Sequence, residues 1–186
     1  GMPFLANYSK TFEQGHAFDE VVKEFTISRD KLRDPNTGLY YHAWDEAREQ
    51  DWADKDTGLA SQFWGRGLGW LAMALVDVLD IIPEDQTELR QPLLDMTAEL
   101  AEALVKVQHD SGTWYQILDK PNAPGNYLES SASGMFTYFF AKGVNNGYLD
   151  ARYKATAVKA YEGLVNEFIL VHPDNSISLV NTCQVA

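Results

Sequence analysis

With 186 residues, 45% of them hydrophobic, the chain can bury one core of ordinary domain size, which speaks against disorder. A formal net charge of −12 with no basic run makes nucleic acid and acidic membrane surfaces poor partners. Cys183 is the one cysteine, so no internal disulfide can form and a reducing, cytoplasmic setting is expected; no apolar run reaches the roughly 18 residues of a membrane span, and no signal peptide is visible at the start.

Pro3 to Lys10 reads as the end of a helix. Ala17 to Leu32 places Phe18, Val21, Val22, Phe25 and Leu32 near one helical face. Asp34-Pro-Asn-Thr-Gly38 is a turn by composition. Leu39 to Trp44 is then extended, and Asp45 to Gln62 a polar loop. Phe63 to Ile82 forms a helix apolar on nearly every side, broken only by Asp77 and Asp80, and such a helix is expected to be enclosed. Glu88 to Gln108 is amphipathic, with Leu89, Leu93, Met96, Leu100, Leu104 and Val107 on its stripe. After a turn at Asp110-Ser-Gly112, Trp114 to Leu118 is extended and Lys120 to Tyr127 a loop. Ser130 to Val144 is a second apolar helix and Ala151 to Phe168 a second amphipathic one. Pro173-Asp-Asn175 turns the chain into an extended Ile177 to Val180.

The order of parts repeats. Amphipathic helix, turn, extended piece, loop and apolar helix occur twice, and a third round stops at Ala186. The turns at Asp34, Asp110 and Asp174 read as cognates. Alternating half-polar and apolar helices imply an outer and an inner layer, as in a toroid of helical hairpins. About two and a half repeats cannot close such a ring, so the inner helices at both edges are expected to leave apolar surface uncovered.

Trp64-Gly-Arg-Gly-Leu-Gly-Trp70 opens the first apolar helix. Each glycine costs a helix roughly 0.5–1 kcal/mol against alanine, which is explained if something must approach the backbone. With Arg66 and two indoles beside it, the stretch reads as the floor of a ligand pocket.

Three stretches, His42-Ala-Trp-Asp-Glu46, Trp64 to Trp70, and Gly125-Asn-Tyr-Leu-Glu-Ser-Ser-Ala-Ser-Gly-Met135, together resemble glycoside hydrolase family 105, the unsaturated rhamnogalacturonyl hydrolases related to family 88. Leu32 to Glu46, Ala141-Lys-Gly-Val144 and Thr182-Cys183 add to the resemblance, which runs over nearly the whole chain. It implies an all-α fold, a partial (α/α)6 toroid over residues 1–186 cut at both ends, since the family barrel is about twice this length. It also implies the removal of a 4,5-unsaturated uronic acid from pectin-derived oligosaccharides. An aspartic acid protonates the vinyl-ether double bond, water adds at the neighbouring carbon, and the hemiketal collapses to free the next sugar. The family's Asp-x-Leu-x-Met-x-x-Pro-Phe-Leu pattern aligns its proline with Pro3, which places that aspartate upstream of Gly1. Residues 1–186 are therefore expected to lack the general acid.

Within the matched motifs, Arg66 suits a carboxylate or sugar hydroxyls through its planar fork, although a salt bridge to Asp45 or Glu129 is the plain structural alternative. Trp64 and Trp70 suit sugar faces, though such indoles are often core. His42 suits a sugar oxygen or a water, and Tyr127 a weaker contact. Asp45 reads as a supporting residue or cap, and Glu129 as orienting Arg66. No metal-ligand spacing and no cofactor motif is present. Two alternatives stay open: a non-catalytic, self-associating sugar-binding remnant that pairs as a homodimer through its apolar flanks, and a toroidal sugar epimerase.

Overall fold

Apolar residues recurring at three- and four-residue spacing turn six segments into α-helices in the computed structural model, which describes residues 1–184. They are α1 (Met2–Phe12), α2 (Phe18–Leu32), α3 (Gly65–Ile81), α4 (Thr87–Lys106), α5 (Ser130–Asn145) and α6 (Lys154–Phe168). A single 3-10 turn, Ala151–Tyr153, leads into α6. Strands β1 (Ile169–Val171) and β2 (Ile177–Leu179) pair antiparallel with Leu170 opposite Ser178. β2 follows the extended reading of that segment. β1 was not foreseen, because nothing in Ile-Leu-Val distinguishes a strand from a last helical turn.

Packing sorts the helices into two rows. α3 lies between α1 and α5 and backs onto α4, while α2 packs on α1 and α4, and α6 on α5. The inner row is thus α1, α3 and α5, and the outer row α2, α4 and α6. Counting α1 completes three inner–outer pairs where the repeat alone suggested two and a half. The end of the third round at Ala186 lies outside the described residues.

The core fills the space between the rows. Phe18, Val21, Val22 and Phe25 of α2 are buried, as are Leu93, Met96, Leu100 and Leu104 of α4. They meet Leu75 and Leu79 of α3 and Phe136, Phe139 and Phe140 of α5 in one cluster. Among the buried charged groups is Arg90, whose guanidinium donates to the carbonyls of Leu79 and Ile82, satisfying the C-terminal end of α3.

α3 is not enclosed, contrary to its composition. Arg66, Trp70, Met73, Asp77 and Asp80 recur at helical spacing, none is buried, and Trp70 is 58% exposed. They form the face that α1, α4 and α5 leave uncovered. At the far end of that face Lys142 of α5 bridges Asp77 and Asp80. Burial opposes the charged amine, but hydrogen bonds to the two carboxylates outweigh it and raise the Lys142 pKa.

Apolar surface is uncovered on both flanks, with one difference from the expectation. The inner helix α1 exposes a row of Phe4, Tyr8 and Phe12, the first two stacked and the last tilted against Tyr8. On the other flank the exposed residues sit mainly on the outer helix α6 (Val158, Tyr161, Val165) and on the hairpin (Ile169, Leu170, Val171, Ile177, Leu179). α6 turns Ala157, Ala160 and Gly163 inward along its length and buries Phe168 at its end, while Val158, Tyr161 and Val165 point out.

The cognate turns are also not uniform. Asp34 and Asp174 accept from the amides that follow them. In the Asp110 turn that role falls to His109, whose Nδ1 accepts from Ser111 N at 3.2 Å. The imidazole reaches the amide two residues on, as an aspartate would.

Candidate functional site

Between α2 and α3 the chain makes two turns of the same design. In Asp34-Pro-Asn-Thr-Gly-Leu39, the Asp34 carboxylate accepts from Thr37 N (3.0 Å) and Thr37 Oγ1 (2.6 Å), and Asp34 N donates to Leu39 O (2.8 Å). In Asp54-Lys-Asp-Thr-Gly-Leu59 the corresponding distances are 2.8, 2.8 and 3.0 Å. Gly38 (φ 78°) and Gly58 (φ 77°) take the left-handed position that each turn requires. Sequence reasoning passed over the second copy as a polar loop, although Asp-x-x-Thr-Gly-Leu stands in it unchanged.

The Asp54 turn anchors a tightly self-bonded loop. Asp45 accepts from Ala47 N (3.1 Å), Glu49 N (2.8 Å) and Gln50 N (2.9 Å), and the Lys55 ammonium donates to the carbonyls of Arg48, Glu49 and Gln50. The Gln50 amide, first among these donors, holds the Asp45 pKa below the usual carboxylate range. Asp45 is therefore a loop cap, one of the two roles read for it, and it makes no ion pair with Arg66.

At its base the loop returns beside α3. Isolated bridges join Trp44 to Leu59, Ala53 to Ala60 and Trp64 to Ile117. Together these segments wall a cavity of about 660 Å³ lined by His42, Ala43, Trp52, Ala60, Ser61, Gln62, Trp64, Gln116 and Ile117. The His42 and Trp64 rings meet edge to face with centroids 4.6 Å apart. A β-carbon on Gly67 would stand 2.9 Å from His42 Nδ1, so this glycine is required by the imidazole itself. Gly65 and Gly69 likewise make room for Ala132 and Met135 of α5. The expectation that bare backbone awaited a ligand is thus corrected: the protein's own groups occupy the space.

Arg66 belongs to an adjoining cluster on the same turn of α3. Its Nε donates to Ser131 Oγ (3.0 Å), and Nη2 donates to the Cys183 carbonyl and lies 3.7 Å from Glu129. Glu129 is fully buried and caps α5, accepting from Ser131 N (3.0 Å), Ala132 N (2.6 Å) and Cys183 N (2.8 Å). The segment Asn181 to Cys183 lies on that helix end through Ser130 N to Asn181 O and the Ser130–Thr182 hydroxyl pair. Gln116 donates to Cys183 Sγ at 2.8 Å and so joins this cluster to the cavity. Burial, with Cys183 and Glu129 nearby, raises the Tyr127 pKa.

Of the residues singled out in the sequence, His42 and Trp64 meet in the cavity, and Arg66, Glu129 and Tyr127 gather beside it. Trp70, one turn beyond Arg66, lines neither group and stands open on the uncovered face of α3. Trp52, Gln62 and Gln116 were missed. Trp52 alone left a signal, as a large apolar ring in a loop of charged and small residues.

The whole chain, residues 1–186, matches the model of Glycosyl Hydrolase Family 88. The chain belongs to that family. Protein Atu3128 of Agrobacterium fabrum is 35% identical over 160 residues, 86% of this chain and 67% of that protein. The unsaturated rhamnogalacturonyl hydrolase YesR of Bacillus subtilis is 34% identical over 131 residues, 70% of this chain and 35% of that protein. The solved structure of a family 105 glycoside hydrolase from C. acetobutylicum superposes with a TM-score of 0.95 at 43% identity, covering 100% of this chain and 52% of that one. The chain therefore spans about half the length of that structure, and its three helix pairs are half of an (α/α)6 toroid. Among the described residues of this family 88 chain, no helix is long and apolar enough to cross a membrane.

Proposed function

We propose that the chain forms the sugar-holding half of an unsaturated glycuronyl hydrolase of the rhamnogalacturonyl type, working in the cytoplasm on pectin-derived oligosaccharides. The observation that carries this reading is the position of His42: it packs on Gly67 and Trp64, so imidazole, indole and the Arg66 turn share one end of α3. YesR, whose name states that activity, supports the substrate class.

In this reading Arg66 holds the conjugated carboxylate of the unsaturated uronic acid. Its Nη1 makes no hydrogen bond among the described residues and is the nitrogen available for it. Trp64 and Trp70 offer ring faces, His42 a hydrogen bond to a hydroxyl or to the water, and Tyr127 a further contact. The carboxylates nearby do not serve as the proton donor, because Asp45 and Glu129 are filled as acceptors by main-chain N–H groups. The chain by itself thus binds the unsaturated sugar without turning it over.

An unsaturated galacturonyl-rhamnose disaccharide tests this directly. The expected result is saturable binding with no loss of the double-bond absorbance. Charge-assisted bonds contribute roughly 1.5–3 kcal/mol, so Arg66→Gln weakens binding by about tenfold or more. Turnover by the chain alone, or unchanged binding in the variant, would overturn the assignment.

The exposed rows on α1 and α6 support a second proposal, that two copies pair. Two sets of three inner and three outer helices make the number that a closed ring of six hairpins needs, and each flank meets the opposite flank of the other copy. Static light scattering reads this out, and a monomer persisting at high concentration would exclude it.

A further inference from the structure

Arg66 carries its charge where its own helix does not favour it. It is the second residue of α3, and a cation in the first turn lies against the positive end of the helix macrodipole. The helix also offers little to steer the side chain. Gly65 and Gly67 flank it, Gly69 stands one turn on, and Trp70 is open to solvent. Yet the Arg66 side chain is only 12% exposed, so something other than α3 fixes it.

That support comes from α5. Glu129 supplies the compensating charge, but its Oε1 stands 3.7 Å from Nη2, beyond hydrogen-bond reach. Ser131 closes the gap. Its hydroxyl lies 2.8 and 2.9 Å from the two Glu129 oxygens and 3.0 Å from Arg66 Nε. A hydroxyl has one hydrogen to give and two lone pairs. The carboxylate only accepts and Nε–H only donates, so the hydrogen goes to Glu129 and a lone pair to Arg66. The hydroxyl rotor is thus set by the charges on either side of it. Nη2 donates to the Cys183 carbonyl, which is held in turn because Cys183 N donates to Glu129 at 2.8 Å. Nε and Nη2 make up one edge of the planar guanidinium. Protein groups occupy that edge and leave Nη1, which makes no hydrogen bond among the described residues.

From this we infer that Ser131 is a positioning residue: it links the buried Glu129 charge to Arg66 and turns the guanidinium so that Nη1 meets an anionic ligand end-on. Glu129, read from the sequence as orienting Arg66, does so through this hydroxyl. The inference deepens the sugar reading above and rests on it for the identity of the anion, the carboxylate of an unsaturated uronic acid.

Ser131→Ala leaves Glu129 its three main-chain donors, Ser131 N, Ala132 N and Cys183 N, so the cap of α5 survives the test. In the ligand-free, nitrogen-15-labelled chain the Arg66 Nε–H signal, assigned by its loss in Arg66→Gln, is expected to be resolved and slow to exchange with water. Ser131→Ala is expected to lose it to fast exchange, and Ser131→Thr, which keeps the hydroxyl, to retain it. With the unsaturated galacturonyl-rhamnose disaccharide, Ser131→Ala is expected to raise the dissociation constant by about three- to tenfold, because a freed long side chain must then be ordered on binding, and Ser131→Thr to restore it. With the methyl ester of the same disaccharide, whose carboxyl group carries no charge, the alanine penalty is expected to stay within about twofold. A hydroxyl with a structural role alone would weaken both ligands alike. An unchanged Arg66 signal in Ser131→Ala, equal losses in the alanine and threonine variants, or the same penalty for acid and ester would each overturn the inference. Failure of the unsubstituted chain to bind either compound would sink the sugar reading, and the ligand-free signal by itself then decides whether Ser131 holds Arg66.

Discussion

Replacing Glu129 by alanine is expected to lower the stability of the chain by about 3–5 kcal/mol, the range for removing one partner of a buried ion pair. Three effects combine at this position. The N-terminal amides of α5, Ser131 N and Ala132 N, lose their acceptor. Cys183 N loses its partner, which frees the segment that lies on that helix end. Arg66, with a side chain only 12% exposed, keeps its charge but loses its carboxylate. Glu129→Gln retains an acceptor for the amides and is expected to lose clearly less. Urea unfolding of the three proteins separates the cases. A loss under about 1 kcal/mol for the alanine variant would show that water replaces the carboxylate without penalty and that the buried cap contributes little to stability.

Trp114→Ala is the other large effect, again about 3–5 kcal/mol, as expected for a large aromatic removed from a packed core. Trp114 is fully buried, and it comes from an extended segment, so its ring stands in place of a helix side chain. It meets Phe136 edge to face at 5.2 Å and stacks on Phe140 at 6.1 Å, while its Nε1 donates to Leu104 O at 2.9 Å. One side chain therefore ties α4 to α5. Two residues on, the same segment brings Gln116 and Ile117 to the cavity. Trp114→Phe keeps most of the volume and removes the indole donor from Leu104 O, which still accepts from Val107 N at 3.3 Å, for a cost of roughly 0.5–1.5 kcal/mol. Thermal unfolding followed by circular dichroism measures both. A phenylalanine variant as damaged as the alanine one would assign the role to the hydrogen bond and not to the packing.

The helices were legible because helix formation is largely a matter of local period. The stripes of α2 and α4 and the apolar runs of α3 and α5 placed four helices within one or two residues of their ends. Asp45 and Glu129 were both open as carboxylates for Arg66, and the one that lies near it, at 3.7 Å, is Glu129. Trp114 and Trp70 show what local pattern leaves open. Trp114 follows a polar turn and Trp70 opens an apolar run, yet the first is fully buried and the second 58% exposed. Whether an indole is covered depends on which neighbours arrive, and no local pattern carries that.

The two Asp-x-x-Thr-Gly-Leu turns, the alternation of inner and outer helices and the family motifs all follow from residues close together in the chain, where a side chain meets an amide two or three positions away. The cavity follows from none of them. Its walls come from three segments, 42–43, 52–64 and 116–117, the last far along the chain from the other two and joined to them by the Trp64–Ile117 bridge. The glycines show the same division: their spacing was visible at once, but that Gly67 yields to His42 and Gly69 to Met135 is a matter of steric contact between distant segments, decided by the packing of the helices.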